Sequence, residues 1–204
     1  MAAEVDRLHR DGVRRVLTGA LHPGELASFT TNGFHEHEQL HLMRHDLRRL
    51  PASPTPTRSR RARRRDREAV LAIDNRAFDA FWTLDRRGLD DALRATPASR
   101  FRVSGGRRQP MTGYAITGRA ADRGYLQRLA IDPRHQRTGI GRLLVADALG
   151  WLRRGGSKLA VVNTQAHNAG ARSLYRACGF VDEPEGLTVL VLDLPGEGPG
   201  PTRP

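Results

Sequence analysis

Two glycines between a predicted strand and a predicted helix constrain this chain more than any other stretch. They lie in Gln136-Arg137-Thr138-Gly139-Ile140-Gly141, which follows an apolar segment ending at Ile131. Asp132-Pro133 punctuates the end of that segment, and the apolar residues after the turn recur at intervals typical of one helical face. The pattern therefore predicts a strand, a glycine turn and a helix.

The turn has the chemistry of an anion site. Glycine lets the backbone approach a ligand without a Cβ in the way, and the first turn of a helix leaves its N–H groups unpaired. Arg134, Arg137 and Arg142 add positive charge where the helix dipole already favours a phosphate. The turn lacks the Lys-Ser/Thr ending of a P-loop and the third glycine of a dinucleotide fingerprint. A glycine turn without a ligand is the alternative interpretation.

The large positive charge of the chain is only weak evidence for nucleic acid as a partner. The net charge is +12 and the sequence pI is about 11.4, values typical of nucleic-acid-binding domains. However, Lys158 is the only lysine among 34 basic residues, and Ala, Gly and Pro are abundant. Such a skew is expected of a GC-rich genome, so we expect nucleic acid to be an unlikely partner.

Cysteine and apolar content indicate a cytoplasmic protein with no membrane partner. The single cysteine, Cys178, excludes an internal disulfide and suits a reducing compartment. No charged-then-apolar leader opens the sequence, and no apolar run approaches the ~18 residues of a membrane span. With 204 residues and 38% apolar content, the chain is expected to form a core.

A Pro/Thr/Ser-rich segment, Pro51 to Thr57, is too stiff and polar for a core and predicts a domain boundary. Seven arginines follow within the ten residues from Arg58 to Arg67. We therefore predict a front lobe over 1–50, a Pro/Arg-rich linker over 51–66, a main domain over 67–195 and a disordered Gly/Pro-rich tail over 196–204.

Periodicity predicts helices and strands in an α/β (α+β) arrangement with a mixed, mostly antiparallel sheet. The predicted helices are Ala3–His9, Gly24–Thr31, a helical stretch over 67–95 broken at Gly88, Gly141–Arg154 and Ala169–Ala177. The predicted strands are Val13–Thr18, Gln39–Leu47, Phe101–Val103, Met111–Gly118, Tyr125–Ile131, Leu159–Val162 and Leu187–Leu194.

The front lobe resembles the back half of the main domain. Val13 to Phe34 aligns without a gap on Leu159 to Phe180, and both copies read as strand, helix and strand. We interpret residues 1–50 as a degenerate partial half repeat, with chance similarity as the alternative. Phe29 stands where the back copy has Tyr175, so the front copy lacks that phenol hydroxyl.

Three separated motifs resemble the GNAT acyl-coenzyme A N-acyltransferases. They are Leu126-Gln-Arg-Leu-Ala-Ile-Asp-Pro133, the Gln136-x-x-Gly139-x-Gly141 turn, and Asn168-x-x-Ala171-x-x-Leu174-Tyr175-x-x-Cys178-Gly179-Phe180. They occur in the order and spacing of that family and cover roughly residues 60 to 195. The resemblance implies a twisted sheet of about six or seven strands, splayed open to admit the pantetheine arm of acetyl-CoA. It implies acetyl-CoA as co-substrate and no metal.

The resemblance also assigns site residues. The pyrophosphate would rest on backbone N–H groups of Arg137, Thr138, Gly139, Ile140, Gly141 and Arg142. The pantetheine amides would pair with Leu129, Ala130 and Ile131, where an N–H could polarise the thioester carbonyl. Asn168 would bond the cofactor arm or cap the next helix. Tyr175 would be the general acid that protonates the coenzyme A thiolate, or else an apolar-face residue. Cys178 is interpreted as a core residue.

The general base is where the sequence departs from the family pattern. Asn163 stands five residues before Asn168, where the branch that acetylates protein N-termini usually carries a glutamate, and Gln127 stands where other members place one. Neither amide can take a proton. His167 or Asp122 acting through water, or solvent itself, are the alternatives.

We expect an acetyl-CoA-dependent N-acetyltransferase that acts on a primary amine of a small molecule or protein by direct attack in a ternary complex. The alternative is a catalytically silent GNAT-fold module that contacts RNA or the ribosome through Arg58 to Arg67. A third hypothesis is a truncated tandem acyltransferase, similar to the mycothiol synthases, whose front lobe covers a sheet edge. The acceptor is not indicated, although Phe78, Phe81 and Trp82 are aromatic candidates for its pocket.

Overall fold

Helices and mostly antiparallel strands alternate along the chain, which confirms the predicted mixed α/β fold. The structure, a computed structural model, describes residues 2–52, 59–106 and 109–194. The helices are α1 Ala2–Arg10, α2 Ala27–Thr30, α3 Arg67–Ala77, α4 Arg86–Arg94, α5 Ile140–Arg154 and α6 Ala169–Ala177. The strands are β1 Arg15–Leu17, β2 His35–His45, β3 Ser59–Arg61, β4 Ala98–Gly105, β5 Met111–Ala120, β6 Arg123–Ile131, β7 Leu159–Gln165, β8 Val181–Asp182 and β9 Leu187–Asp193. None of the helices in these ranges is both long and apolar enough to cross a membrane.

The chain divides into two compact units. The smaller unit takes the described residues of Met1–Leu42, Asn163–Asn168 and Glu183–Pro204, and the larger takes those of Met43–Val162 and Ala169–Asp182. Strands β2 and β7 contribute residues to both. Most of the predicted Pro/Thr/Ser segment and the whole predicted tail over 196–204 lie outside the described residues.

Within the smaller unit, β9 is the central strand. It pairs antiparallel with β1, where Arg15 faces Asp193, and with β2, where His35 faces Val191. Strand β2 begins four residues before the predicted Gln39, because its His-Glu-His-Glu start is polar on both faces and shows no apolar period of two.

In the larger unit, β3, β4, β5 and β6 pair antiparallel in that order, and β7 joins β6 in parallel. Strand β3 pairs Ser59 with Ser104 and lies inside the segment that the sequence assigned to a linker. A run of arginines hides a strand from any hydrophobic pattern.

Two buried clusters pack on the sheet of the larger unit. One surrounds α5 and includes Met43, Leu144 and Leu149. The other joins α3 and α4 to β5 and includes Ile73 and Leu89. Each fully buried aliphatic side chain contributes about 1.5–3 kcal/mol relative to exposure. The two clusters therefore fix α5 and α3 relative to β5 and β6, which carry the candidate site.

The predicted helix break at Gly88 is wrong. The helical stretch is interrupted before it, between the end of α3 and Asp85. Asp85 is the N-cap of α4, and its carboxylate accepts the Gly88 N–H at 2.6 Å. A cap bond satisfies an unpaired N–H of the first turn, so Gly88 belongs to a helix start.

Candidate active site

Strand β6 contains an irregularity that reverses the direction of its side chains. In its pairing with β5, Ile116 faces Arg128 and Thr117 faces Leu126, so that Gln127 is an extra residue. Such a bulge changes which face the following residues present. Leu126 and Leu129 therefore both belong to the α5 side, although an even alternation would separate them.

One edge of β6 opens beside this bulge. The parallel pairing with β7 covers Arg123 to Tyr125 and, within the described residues, does not extend to Leu129. On the other edge, Leu129, Ala130 and Ile131 remain paired with β5. The outward-directed peptide groups of this stretch therefore have no paired strand on that edge within the described residues.

The glycine turn forms the start of α5. Gly139 is the N-cap with φ +87°, a left-handed conformation that glycine adopts without steric cost, and Arg137 also has a positive φ of 63°. The first helical bond runs from the Leu143 N–H to the Gly139 carbonyl at 3.0 Å. The N–H groups of the first helical turn therefore have no intrahelical acceptor. Thr138 stabilises the turn through a hydroxyl bond to the His135 carbonyl at 2.6 Å.

Gly141 has a packing role beside any role in binding. A Cβ added there would lie 2.8 Å from Leu174 Cδ2 of α6. The missing side chain lets α6 pack against the first turn of α5. Tyr175 follows Leu174 directly, so this contact brings the Tyr175 helix beside the turn.

The positive charge at the turn differs from the expectation for Arg134. The buried Asp132 carboxylate accepts hydrogen bonds from the Arg134 guanidinium at 2.9 and 3.1 Å and from Arg76 at 2.7 Å. Bonding to Arg134, followed by Arg76, holds the pKa of Asp132 well below its usual range. Arg134 is thus matched by a carboxylate. Arg137 is exposed, and Arg142 has a buried Nε with no hydrogen-bond partner among the described residues.

Tyr175 is buried in the α5 cluster, where its ring lies 5.7 Å from that of Phe180. Burial raises the pKa of its hydroxyl, so the phenol stays protonated at neutral pH. The structure gives that hydroxyl no side-chain hydrogen bond within the described residues. Cys178 is also buried, and burial raises the pKa of its thiol to about 11, in agreement with a core residue.

The sequence model of the Acetyltransferase (GNAT) family matches residues 67–180, more than half of the chain. The protein belongs to the GNAT family. The match spans the opening of β6, the glycine turn and the Tyr175 helix.

Several relatives share this GNAT fold. The [ribosomal protein bS18]-alanine N-acetyltransferase of Escherichia coli K12 is 36% identical over 70 residues, which cover 34% of this chain and 47% of that protein. The chain thus spans about half the length of the curated relatives it matches. The crystal structure of the S18-alanine enzyme from Escherichia coli superposes with a TM-score of 0.56 at 22% identity, over 69% of this chain and 97% of that one.

Two further structures cover nearly all of this chain. A GCN5-related N-acetyltransferase from Sphaerobacter thermophilus has a TM-score of 0.64 at 17% identity, over 93% of this chain and 64% of its own. A tandem GNAT protein from the clavulanic acid biosynthesis pathway has a TM-score of 0.67 at 17% identity, over 96% of this chain and 69% of its own. These identities show a common fold.

A buried polar cluster next to the opening has no sequence signature. Arg128 donates to both oxygens of the fully buried Asp74 at 2.9 Å, and Leu84 N–H donates to the same carboxylate at 2.7 Å. The Tyr114 hydroxyl donates to Asp74 as well, and burial followed by the Asp74 charge raises the pKa of Tyr114. The Arg128 guanidinium lies 3.6 Å from the Phe78 ring centre. This cluster fixes the segment after α3 against the strand that carries Leu129.

The three aromatic candidates for an acceptor pocket therefore differ. Phe78 packs on the core and under Arg128. The Trp82 carbonyl accepts a bond from Arg128, while Phe81 is exposed and meets the Trp82 ring edge-on at 5.0 Å. Of the three, Phe81 is the one whose side chain is most available to a ligand.

His45, like the Asp74 cluster, was not predicted from the sequence. Its buried Nδ1 accepts the Leu47 N–H at 2.9 Å, and its ring lies 5.2 Å from that of Phe180. Because Phe180 also contacts Tyr175, His45 supports the aromatic packing behind the predicted acid. Burial is the main reason that the pKa of His45 is lowered.

The candidate bases lie apart from one another. Asp122 lies in the exposed β5–β6 turn, 3.6 Å from Lys158, and the six β6 residues between it and Leu129 separate the two by roughly 20 Å. The structure therefore does not bring Asp122 to the opening. His167 belongs to the smaller unit, with Nδ1 3.4 Å from Glu38 Oε1. Gln127 has a buried Oε1 with no partner among the described residues.

The predicted cofactor residues fall mostly in one unit. Leu129 to Ile131, Arg137 to Arg142 and Tyr175 belong to the larger unit. Asn168 belongs to the smaller one, and it immediately precedes α6 with its N–H bonded to the Gln165 carbonyl at 2.9 Å.

Proposed function

We propose that this protein transfers an acetyl group from acetyl-CoA to a primary amine, which attacks the thioester directly in a ternary complex. The single observation that carries the proposal is a buried Tyr175 on a helix packed against the glycine turn. Family membership and the names of the relatives, which are N-acetyltransferases, support the same activity.

The residues of the turn fit a pyrophosphate. The N–H groups from Arg137 to Arg142 surround a left-handed Gly139, and α5 directs its positive dipole end to the same place. The buried Arg142 Nε lacks an acceptor, which a phosphate oxygen would supply. A buried donor without a partner is costly, so an anion here would remove that cost.

The open edge of β6 fits the pantetheine arm. Peptide groups at Leu129, Ala130 and Ile131 are fixed on one side by β5 and are available on the other. An amide ladder of this kind gives affinity to any extended ligand that brings its own amides. We assign Asn168 to the same arm as a side-chain donor.

Acetyl-CoA supplies the activated acetyl thioester when bound. A backbone N–H between Leu129 and Ile131 polarises the thioester carbonyl as its oxygen gains charge. Tyr175 donates its proton to the departing thiolate, since a phenol is protonated at neutral pH. The amine loses its own proton to solvent or to His167.

The acceptor is proposed only by chemical class. The Escherichia coli relative acts, by its name, on an alanine of ribosomal protein bS18. A peptide with an N-terminal alanine is therefore one acceptor to test, and small primary amines are the other. Asn163 and Gln127 distinguish this chain from relatives with a glutamate base, so we expect activity to rise with pH as the free amine fraction rises.

Calorimetric titration with acetyl-CoA tests the cofactor half of the proposal. We expect saturable binding that Arg142→Ala weakens and that Arg153→Ala, at the exposed far end of α5, leaves unchanged. No binding at millimolar acetyl-CoA would favour the alternative of a catalytically silent GNAT module. A screen of alanine peptides and small amines, read out by free coenzyme A thiol, then identifies the acceptor.

A further inference from the structure

Four arginines beside β3 form an exposed basic surface that the proposed acetyl transfer does not use. We define the arginine platform as Arg61, Arg63, Arg64 and Arg65, all of them exposed. Arg61 ends β3, which pairs with β4 on one side. Arg63 precedes the short 3-10 turn Arg64–Asp66, and Arg64 and Arg65 lie within it. Their positions follow from the fold of the larger unit.

A buried carboxylate holds the platform in shape. Asp66, at the end of the turn, accepts two bonds from the Arg60 guanidinium at 2.7 and 2.8 Å. It also accepts the Arg63 N–H at 2.7 Å, which closes the turn on itself. The four exposed guanidinium groups therefore extend from an ordered backbone, and little backbone entropy is lost when they bind.

The platform carries more positive charge than the nearby carboxylates match within the described residues, although Arg65 acts on Asp66 and Arg64 acts on Asp90 at longer range. None of its four guanidinium groups forms an ion pair there. The nearest carboxylates are already used, since Asp66 pairs with Arg60 at 2.7 Å and Asp90 pairs with Arg67 at 2.6 Å. Arg94 lies close enough to Asp90 to add to the positive field. Unlike the arginines that pair with carboxylates elsewhere in the described chain, the platform arginines can therefore direct their charge to an external anion.

The chemistry of the surface favours a phosphate polymer. Guanidinium groups match phosphate oxygens with two parallel hydrogen bonds. The large exposed apolar side chains of the described chain are Leu17, Phe81 and Val181, so none lies on the platform to insert into a membrane. No aromatic residue lies between the arginines to stack on bases, which leaves the backbone phosphates as the contact.

We propose that the arginine platform binds RNA through its phosphates, without sequence preference. This departs from the expectation, drawn from overall composition, that nucleic acid is an unlikely partner, because the proposal rests on four exposed arginines held at one place in the fold. This surface is separate from the proposed acetyl-CoA site, so either assignment can fail without the other. The competing explanation is that arginines on an edge strand only prevent pairing with other sheets. That explanation predicts no specific loss of RNA affinity when the platform is removed.

Two variants of equal net charge separate the platform from general basicity. The first removes the platform as Arg61→Gln, Arg63→Gln, Arg64→Gln and Arg65→Gln. The control removes four exposed arginines that are scattered over α4, β6 and α5, as Arg87→Gln, Arg123→Gln, Arg153→Gln and Arg154→Gln. Both variants lose the same charge, so their solubility and long-range field change alike.

The assay is fluorescence anisotropy of a mixed-sequence single-stranded RNA of about 12 nucleotides, titrated with the full chain from 50 to 400 mM salt. Each phosphate contact on a single strand adds about 0.7 to the slope of log affinity against log salt, so loss of the platform should lower that slope by about 3. The scattered variant should keep most of the slope.

Equal losses in the two variants would overturn the proposal, and so would wild-type protein that fails to bind RNA at 50 mM salt. Tighter binding to anionic lipid vesicles or to polyglutamate than to RNA, at matched salt, would also overturn it. Circular dichroism checks that each variant is folded. If the platform variant is unfolded, the half variants R61Q/R63Q and R64Q/R65Q are expected to share the loss of slope.

Discussion

Removal of the Asp74 carboxylate should destabilise the larger unit more than removal of any other single carboxylate paired with arginine. Asp74 is fully buried and accepts bonds from Arg128, Tyr114 and Leu84 N–H. Asp74→Ala would leave a mostly buried guanidinium, a phenol hydroxyl and a backbone N–H without their acceptor.

The magnitude follows from the burial of both charges. Breaking a buried ion pair by removing one partner costs about 3–5 kcal/mol, since the other charge stays buried and unpaired. Tyr114→Phe removes one hydrogen bond to a charged acceptor and should cost about 1.5–3 kcal/mol. Asp147 is the control, because its carboxylate likewise pairs with arginine, in its case Arg100 and Arg102, but keeps 18% side-chain exposure. Water can reach the arginines that Asp147→Ala leaves behind, so we expect about 1 kcal/mol there.

Urea unfolding followed by tryptophan fluorescence measures all three variants against wild type. We expect the smallest loss of unfolding free energy in Asp147→Ala, a larger loss in Tyr114→Phe and the largest in Asp74→Ala. If the Asp74→Ala variant is as stable as the Asp147→Ala variant or more stable, the view that the Asp74 cluster fixes the segment after α3 is refuted.

Three further predictions concern the turn, the buried histidine and the thiol. Gly139→Ala should cost about 1–2 kcal/mol and weaken acetyl-CoA binding, because φ is +87° there, whereas Gly150→Ala inside α5 should be neutral or stabilising by both calorimetry and unfolding. Burial lowers the pKa of His45 from its usual 6.5, so the unfolded chain binds that proton first. Wild-type stability should therefore fall as pH drops below about 6.5. In His45→Asn, which leaves the neighbouring Asp46 and Arg49 in place, unfolding free energy should decline less over the same pH range, and a decline identical to that of wild type would contradict the role of His45. Cys178, whose pKa is raised to about 11, should resist alkylation at pH 8 until urea unfolds the chain, and rapid labelling of native protein would contradict its burial.

Helices bounded by local signals could be predicted closely from the sequence. Helix α6 has the predicted bounds, and α5 begins one residue before the predicted Gly141. Helix α5 follows a glycine turn and α6 follows Asn168, a residue type that favours helix starts, and a glycine follows the end of each within two residues.

Elements that depend on distant partners could not be predicted. Strands β3 and β8 are three and two residues long and exist only through their pairing with other strands. The bulge at Gln127 likewise appears only when β6 is paired with β5. The Asp74–Arg128 pair joins residues 54 positions apart, and no spacing rule connects an acid on a helix with an arginine on a strand.

The candidate site also combines features set by local sequence with features set by distant contacts. The glycine turn and Tyr175 carry motifs, whereas Arg134 was expected to serve an anion and instead pairs with Asp132. The sequence does not reveal His45, because its contacts with Leu47 and Phe180 come from the turn after β2 and from the segment between α6 and β8.

The turnover of Tyr175→Phe tests the central claim most directly. The variant keeps the ring and removes the hydroxyl, and Tyr125→Phe on β6 is its control. General acid catalysis contributes about 10²–10⁴-fold, so we expect kcat to fall by about 100-fold or more with the KM for acetyl-CoA little changed. An unchanged kcat in Tyr175→Phe, or an equal fall in Tyr125→Phe, would contradict the assignment of Tyr175 as the acid.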